Sequence, residues 1–88
     1  MTDELDAALI RLQFVAYHQR RAEPATADDL DAVIRYAKSD PASRRIDPEV
    51  VARLERRASQ ATAESRSGLA NDLTRAVELV RKLEASAG

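Results

Sequence analysis

Few residues in this chain could do catalytic or metal chemistry. There is one histidine, His18, and no cysteine, so neither a thiolate metal site nor a cysteine nucleophile can form. A lone histidine near the end of a helix more often packs its ring or contacts terminal carbonyl groups than it binds a metal. Serine, histidine and aspartate are all present, but a triad needs a scaffold that fixes an oxyanion hole. We therefore expect a protein that is not an enzyme.

Aspartates could bind a metal ion, and glycines could form a loop that binds a phosphate group. Asp28, Asp29 and Asp31 lie within one helical turn but point in different directions, and helix capping explains them without a metal. The two glycines, Gly68 and Gly88, supply no glycine-rich loop for a phosphate group. We expect neither a metal nor a cofactor.

Arginines in the middle of the chain form the one credible nucleic-acid footprint, which consists of Arg44, Arg45, Arg53, Arg56 and Arg57. They would lie on a loose helix-turn-helix, but its connection of about nine residues exceeds the three or four that are typical of that motif. Asp47, Glu49 and Glu55 lie among these arginines, and the net charge of the chain is −1. Nucleic-acid binding is therefore the alternative hypothesis, and solvated or ion-paired arginines are favoured.

The charges are unevenly distributed along the chain. Residues 1–31 hold seven acids and three bases, and residues 32–62 hold four acids and seven bases. Two interpretations remain open. The charges could be ordinary solvated helix faces, or the acidic and basic segments could pair with each other, within one chain or between two.

The helix that would carry His18 has two apolar stripes. The pattern predicts a helix from residue 3 to about residue 22, capped by Thr2 and ended by Glu23-Pro24. One stripe consists of Leu5, Ala8, Leu9, Leu12, Val15 and Ala16, and the other, roughly 150° away, consists of Ile10, Phe14 and Tyr17. Two stripes require two packing partners.

Capping signals place the next two helices. Thr26 and Asp29 resemble a capping box, which predicts a second helix over residues 27–39, and a loop then runs to Asp47 with Ile46 anchored on the core. Asp47 followed by Pro48 predicts the start of a third helix. We expect this helix to run to about residue 85, although Gly68 could divide it. Its late apolar seam is Leu69, Leu73, Ala76, Val77, Val80 and Leu83.

These elements predict an all-α bundle of three helices in a single domain over residues 1–88. Leu, Ile, Val and Phe together number 19, against 17 alanines, so the core is poor in large side chains. Such a core must bring helices close on alanine faces or borrow apolar surface from a partner. We favour the second alternative and expect a homodimer.

The function that remains is a helical protein–protein interaction module, such as a small regulator, adaptor or accessory factor. No apolar run approaches the roughly 18 residues that span a bilayer, and the acidic start differs from a signal peptide, so we expect a cytoplasmic location. The expected partner-binding residues are either the second stripe of the first helix or the late seam, that is Ile10, Phe14, Tyr17, Leu73, Val80 and Leu83.

Overall fold

A computed structural model describes residues 3–87 of the chain, so the predicted cap Thr2 lies outside the described residues. It contains four α-helices, α1 (Asp3–Ala22), α2 (Pro24–Lys38), α3 (Pro48–Ala63) and α4 (Ser67–Ala87), and a short 3₁₀ turn at Pro41–Ser43. The described range has no strand, so the prediction of an all-α fold is confirmed, whereas the predicted count of three helices is corrected to four. No helix in this range combines the length and apolar composition needed to cross a membrane.

A single residue, Glu23, separates α1 from α2. Its backbone N–H donates to the carbonyl of Gln19 at 2.7 Å, and its own carbonyl accepts from the N–H of Ala27 at 3.1 Å. Pro24 occupies the first position of α2, where the N–H that proline lacks would have had no helical partner. The predicted start of the second helix near residue 27 is therefore corrected to Pro24. Thr26 lies inside the first turn, and its hydroxyl donates to Glu23 Oε1 at 3.3 Å.

The start of α3 agrees with the sequence prediction. Pro48 is the first helical residue, and Asp47 Oδ1 accepts a hydrogen bond from the N–H of Glu49 at 2.9 Å. In the preceding loop, Asp40 Oδ1 accepts from the N–H of Ala42 at 3.1 Å and caps the 3₁₀ turn. Ile46 is half-buried against the core, as expected for the residue that anchors this loop.

The predicted long helix over residues 48–85 is divided, but not at Gly68. The helix ends at Ala63, and Ser65 adopts a left-handed conformation with φ of 62°. The N–H of Arg66 donates to the carbonyl of Ala61 at 2.8 Å, and that of Ser65 to the carbonyl of Thr62 at 3.0 Å. This pair of bonds is the Schellman motif, which satisfies the terminal carbonyls of a helix and reverses the chain. Gly68 lies in the first turn of α4.

Two helical hairpins, α1 with α2 and α3 with α4, pack against each other mainly through α2. The largest fully buried side chains are those of Leu30, Leu54, Leu73, Val33 and Val80. Alanines fill the rest of the interface, since Ala16, Ala27, Ala37, Ala61 and Ala76 are at most 2% exposed. The helices thus approach each other on alanine faces. The radius of gyration of 12.4 Å is close to the roughly 12 Å expected for a compact domain of this length.

Candidate protein interaction surface

The outward face of α1 carries three large apolar side chains that the fold leaves exposed. The inward face of this helix buries Leu9, Leu12, Val15 and Ala16 in the core. On the opposite side, Ile10 is 67% exposed, Phe14 53% and Tyr17 74%, and within residues 3–86 these are the only exposed large hydrophobic side chains. We call Ile10, Phe14 and Tyr17 the exposed stripe. It coincides with the second stripe expected from the sequence.

Phe14, at the centre of the exposed stripe, contacts one charged and one aromatic neighbour. The ring of His18 meets Phe14 edge to face at 4.3 Å and Tyr17 at 5.6 Å between ring centroids. The guanidinium of Arg11 lies 5.4 Å from the centre of the Phe14 ring, a cation–π distance. The only histidine of the chain is thus part of an aromatic cluster. Within the described residues, no group of three histidine, aspartate or glutamate side chains could hold a metal ion.

Asp72 of α4 holds Arg11 in this position. The Nε of Arg11 donates to Asp72 Oδ1 at 3.1 Å and its Nη2 donates to Oδ2 at 3.0 Å. The Asp72 side chain is 8% exposed, so the carboxylate is nearly buried and its charge is balanced by this one bidentate pair. The hydrogen bonds from Arg11 to Asp72 raise the pKa of Arg11. Neither Arg11 nor Asp72 is among the site residues predicted from the sequence.

The two ends of α1 carry opposite charges. Its first turn is acidic, with Asp3, Glu4 and Asp6, and its last turn is basic, with Arg20 and Arg21. Arg20 binds Asp31 of α2 at 2.7 Å. Asp6 and Arg21 are exposed and take part in no ion pair within the part of the chain that the structure describes. The exposed stripe is therefore flanked by free acidic and free basic groups.

Most of the late seam of α4 lies inside the fold. Leu73 and Val80, which the sequence analysis offered as partner-binding residues, are fully buried, and Leu83 is half-buried. The physical reason is the chain reversal after α3, which folds α4 back against α3 and α2, so that its apolar seam closes the core. Leu83 lines an open groove of about 460 Å³ between the first turns of α1 and the end of α4, together with Leu5 and Leu79.

Three of the five arginines of the predicted nucleic-acid footprint are paired with carboxylates. Arg53 binds Asp29 through two hydrogen bonds, of 3.0 Å from Nε and 2.8 Å from Nη2. Arg56 binds Glu49 at 3.0 Å. Arg57 donates from Nη2 to Oε2 of Glu23 at 2.6 Å. Acids from the first third of the chain thus pair with bases from the middle third within one molecule.

The remaining two arginines, Arg44 and Arg45, bind backbone carbonyls. Arg44 donates to the carbonyl of Tyr36 at 3.2 Å and to that of Ala37 at 3.1 Å, at the C-terminal end of α2. Cations are favoured there because the helix dipole leaves its carbonyl end partially negative. Arg45 donates to the carbonyl of Arg44 at 2.6 Å. Each of the five arginines therefore forms at least one hydrogen bond with another group of the same chain.

Glu23 at the corner between α1 and α2 is the centre of an ion-pair network. Besides Arg57, its carboxylate accepts from Nη1 of Arg66 at 3.1 Å, and Glu64 accepts from Arg57 at 3.2 Å. Hydrogen bonds from Arg57, followed by its charge and by the bonds from Arg66 and Thr26, outweigh desolvation and lower the pKa of Glu23 to about 2. This network connects the α1–α2 hairpin to the turn between α3 and α4.

The chain matches no family model, no curated protein and no solved structure.

Proposed function

We propose that this chain is a non-enzymatic helical protein–protein interaction module, and that the exposed stripe of α1 is its contact surface. One observation carries the proposal: three large apolar side chains at positions i, i+4 and i+7 lie on one helix face, each more than half exposed. This spacing is typical of helices that anchor in an apolar partner surface. The core is closed without these side chains, so they are not needed to bury the interior of the domain.

The proposed role is that of a small regulator, adaptor or accessory factor, with the homodimer as its expected state. Nucleic-acid binding is less well supported, because Arg53, Arg56 and Arg57 already bind carboxylates of the same chain. A nucleic acid would have to compete with those bonds for each phosphate contact made by these three arginines.

Site-specific photo-crosslinking tests this placement. Phe14 is replaced by benzoylphenylalanine, an aromatic residue of similar shape, in cells that naturally make the protein. The matched control carries the same probe at Gln60, an exposed position on α3, a helix that packs mainly against α4 and α2. We expect a crosslink to protein, either a second copy or another chain, from position 14 and not from position 60.

Equal crosslinking from positions 14 and 60, or none from position 14, would overturn the proposal. A companion measurement uses the double variant Phe14→Ala/Tyr17→Ala, which removes most of the exposed stripe. We expect this variant to lose the crosslinked partner when the probe is placed at Gln13 beside the stripe, because the remaining surface offers little apolar area.

A further inference from the structure

The exposed stripe is the centre of a longer regular seam on α1. Six exposed residues follow one another at alternating spacings of four and three along the outward face: Asp3, Ala7, Ile10, Phe14, Tyr17 and Arg21. We call these six residues the outer seam. Alternating spacings of four and three are those of the contacting positions of a coiled coil. Here the seam lies opposite the face that α1 already uses for its own core.

We propose that the outer seam binds the outer seam of a second copy of this chain, with the two α1 helices antiparallel. Ile10 then lies opposite Phe14 of the second copy, Ala7 opposite its Tyr17, and Asp3 opposite its Arg21. Each pairing occurs twice, because a two-fold axis relates the copies. This inference rests on the proposed function, since it names the partner of the same surface.

Charge complementarity selects the second copy and its direction. In the antiparallel arrangement the acidic first turn of one α1 meets the basic last turn of the other, at both ends of the contact. Asp6 and Arg21, which take part in no ion pair within residues 3–87, each gain a partner of opposite sign nearby. A parallel arrangement would place acid beside acid and base beside base, which is repulsive.

Side-chain size and the central charges agree with this pairing. Ala7 leaves room for the large Tyr17 of the second copy, and Ile10 packs on Phe14. At the two-fold axis the two Arg11 residues approach each other, but each is already neutralised by two hydrogen bonds to its own Asp72. The 20 residues of α1 extend for about 30 Å, so one helix pair is a small interface. We expect a dissociation constant on the order of micromolar.

A charge inversion tests the direction of the pairing. The inverted variant carries Asp3→Arg and Arg21→Asp and is mixed with the unmodified chain, each labelled for energy transfer. Antiparallel pairing predicts that each form associates with itself and that mixed dimers are about tenfold disfavoured, since every mixed end pair is of like charge. Circular dichroism of the inverted variant checks whether its helices are retained.

The matched control is Glu55→Arg/Arg81→Glu, which inverts an exposed ion pair between α3 and α4 that is not part of the outer seam. We expect this control to mix freely with the unmodified chain. Free mixing of the inverted variant would overturn the antiparallel pairing, and preferential mixed dimers would show a parallel one; crosslinking from position 14 decides separately whether the exposed stripe is the contact surface. A chain that stays monomeric at 200 µM, roughly a hundred times the expected dissociation constant, would overturn the second copy as partner.

Spin labels measure the same geometry without inverting charges. The chain has no cysteine, so Asp6→Cys and Gln13→Cys each give one labelling site. These positions are seven residues apart on the same side of α1, so a parallel pair would give them equal distances between copies. The antiparallel pairing places residue 13 close to the two-fold axis, and at 1.5 Å per residue the two copies of residue 6 are about 15 Å further apart along the helix than those of residue 13. Equal distances would contradict the proposal.

Discussion

Glu23 shows how one side chain can connect distant parts of a small helical fold. It separates two helices by a single residue, and its carboxylate binds Arg57 of α3 and Arg66 before α4. Its side chain is 23% exposed, so water screens these bonds less than it would at a fully exposed pair. Removing the carboxylate would also leave Arg57, whose side chain is 14% exposed, with only the partly exposed Glu64.

The lowered pKa of Glu23 predicts a specific pH dependence. Its folded pKa of about 2 lies below the unfolded value of 4.5, so the stabilisation is complete above pH 4.5 and is lost as the pH falls towards 2. The shift corresponds to at most about 3 kcal/mol. We expect Glu23→Gln to be less stable than the unmodified chain by about 2 to 3 kcal/mol at pH 7, and the difference to shrink towards zero near pH 2. Urea unfolding of both chains at several pH values measures it.

A constant difference between pH 7 and pH 2 would show that the carboxylate charge is not responsible. Glu55→Gln serves as the control, because Glu55 forms an exposed ion pair with Arg81 and should change the stability by less than about 1 kcal/mol at any pH.

The break between α3 and α4 is the feature of the fold that the sequence predicts least accurately. Glycine is the residue that most often adopts the left-handed conformation after a helix, so the sequence directed attention to Gly68. In this protein Ser65 adopts the left-handed conformation instead. Gly68 lies three residues later, and a Cβ at that position would meet no heavy atom from another part of the fold within 4 Å. Nothing in the spacing of apolar residues shows the break, because they stay in phase across it.

The conformation of Ser65 makes a direct prediction for stability. A residue other than glycine in the left-handed region costs about 1 kcal/mol. We expect Ser65→Gly to stabilise the fold by about 0.5 to 1 kcal/mol, as measured by thermal or urea unfolding. The control is Ser59→Gly on the exposed face of α3, where the same substitution lies inside a helix and should destabilise by about 0.5 kcal/mol. Equal effects of the two substitutions would count against the reversal at Ser65.

The sequence predicts where helices start more accurately than where they end. Asp47 and Pro48 identified the start of α3 because the cap depends on neighbouring residues alone. The predicted start of α2 is three residues late because Pro24 was interpreted as a stop for α1 and not as the first residue of the next helix.

The ion pairs of Asp29 and Asp72 could not be predicted, since their arginine partners are 24 and 61 residues away in the chain.

The described part of the chain buries a complete core of its own and still exposes an apolar face on α1. The scarcity of large side chains favours a core that borrows apolar surface from a partner. Two hairpins joined on alanine faces provide another solution, in which Leu30, Leu54 and Leu73 are buried without a second chain. The exposed stripe was nevertheless identified correctly as a second apolar face of α1, because helical periodicity alone separates the two faces.

The independence of core and stripe can be tested by comparing two kinds of substitution. We expect Phe14→Ala/Tyr17→Ala to change the free energy of unfolding by less than about 1 kcal/mol, because both side chains are more than half exposed. In contrast, Leu54→Ala should destabilise by about 2 to 5 kcal/mol, since Leu54 is 1% exposed. Urea unfolding at nanomolar concentration, well below the expected association, measures both. A large loss in the double alanine variant would show that the stripe supports the fold.

The contacts of Phe14 with Arg11 and His18 have a consequence for the thermodynamics of binding. The ring contacts both Arg11 and His18, and Arg11 is itself held by two hydrogen bonds to Asp72 of α4. A side chain whose rotamer is already restricted in the free protein loses little conformational entropy when a partner covers it. Immobilising a freely moving side chain costs about 0.5 to 1.5 kcal/mol, and a restricted side chain avoids most of that cost. The surface of α1 is in this sense preorganised, and calorimetry of Asp72→Asn should show association with a larger entropic penalty.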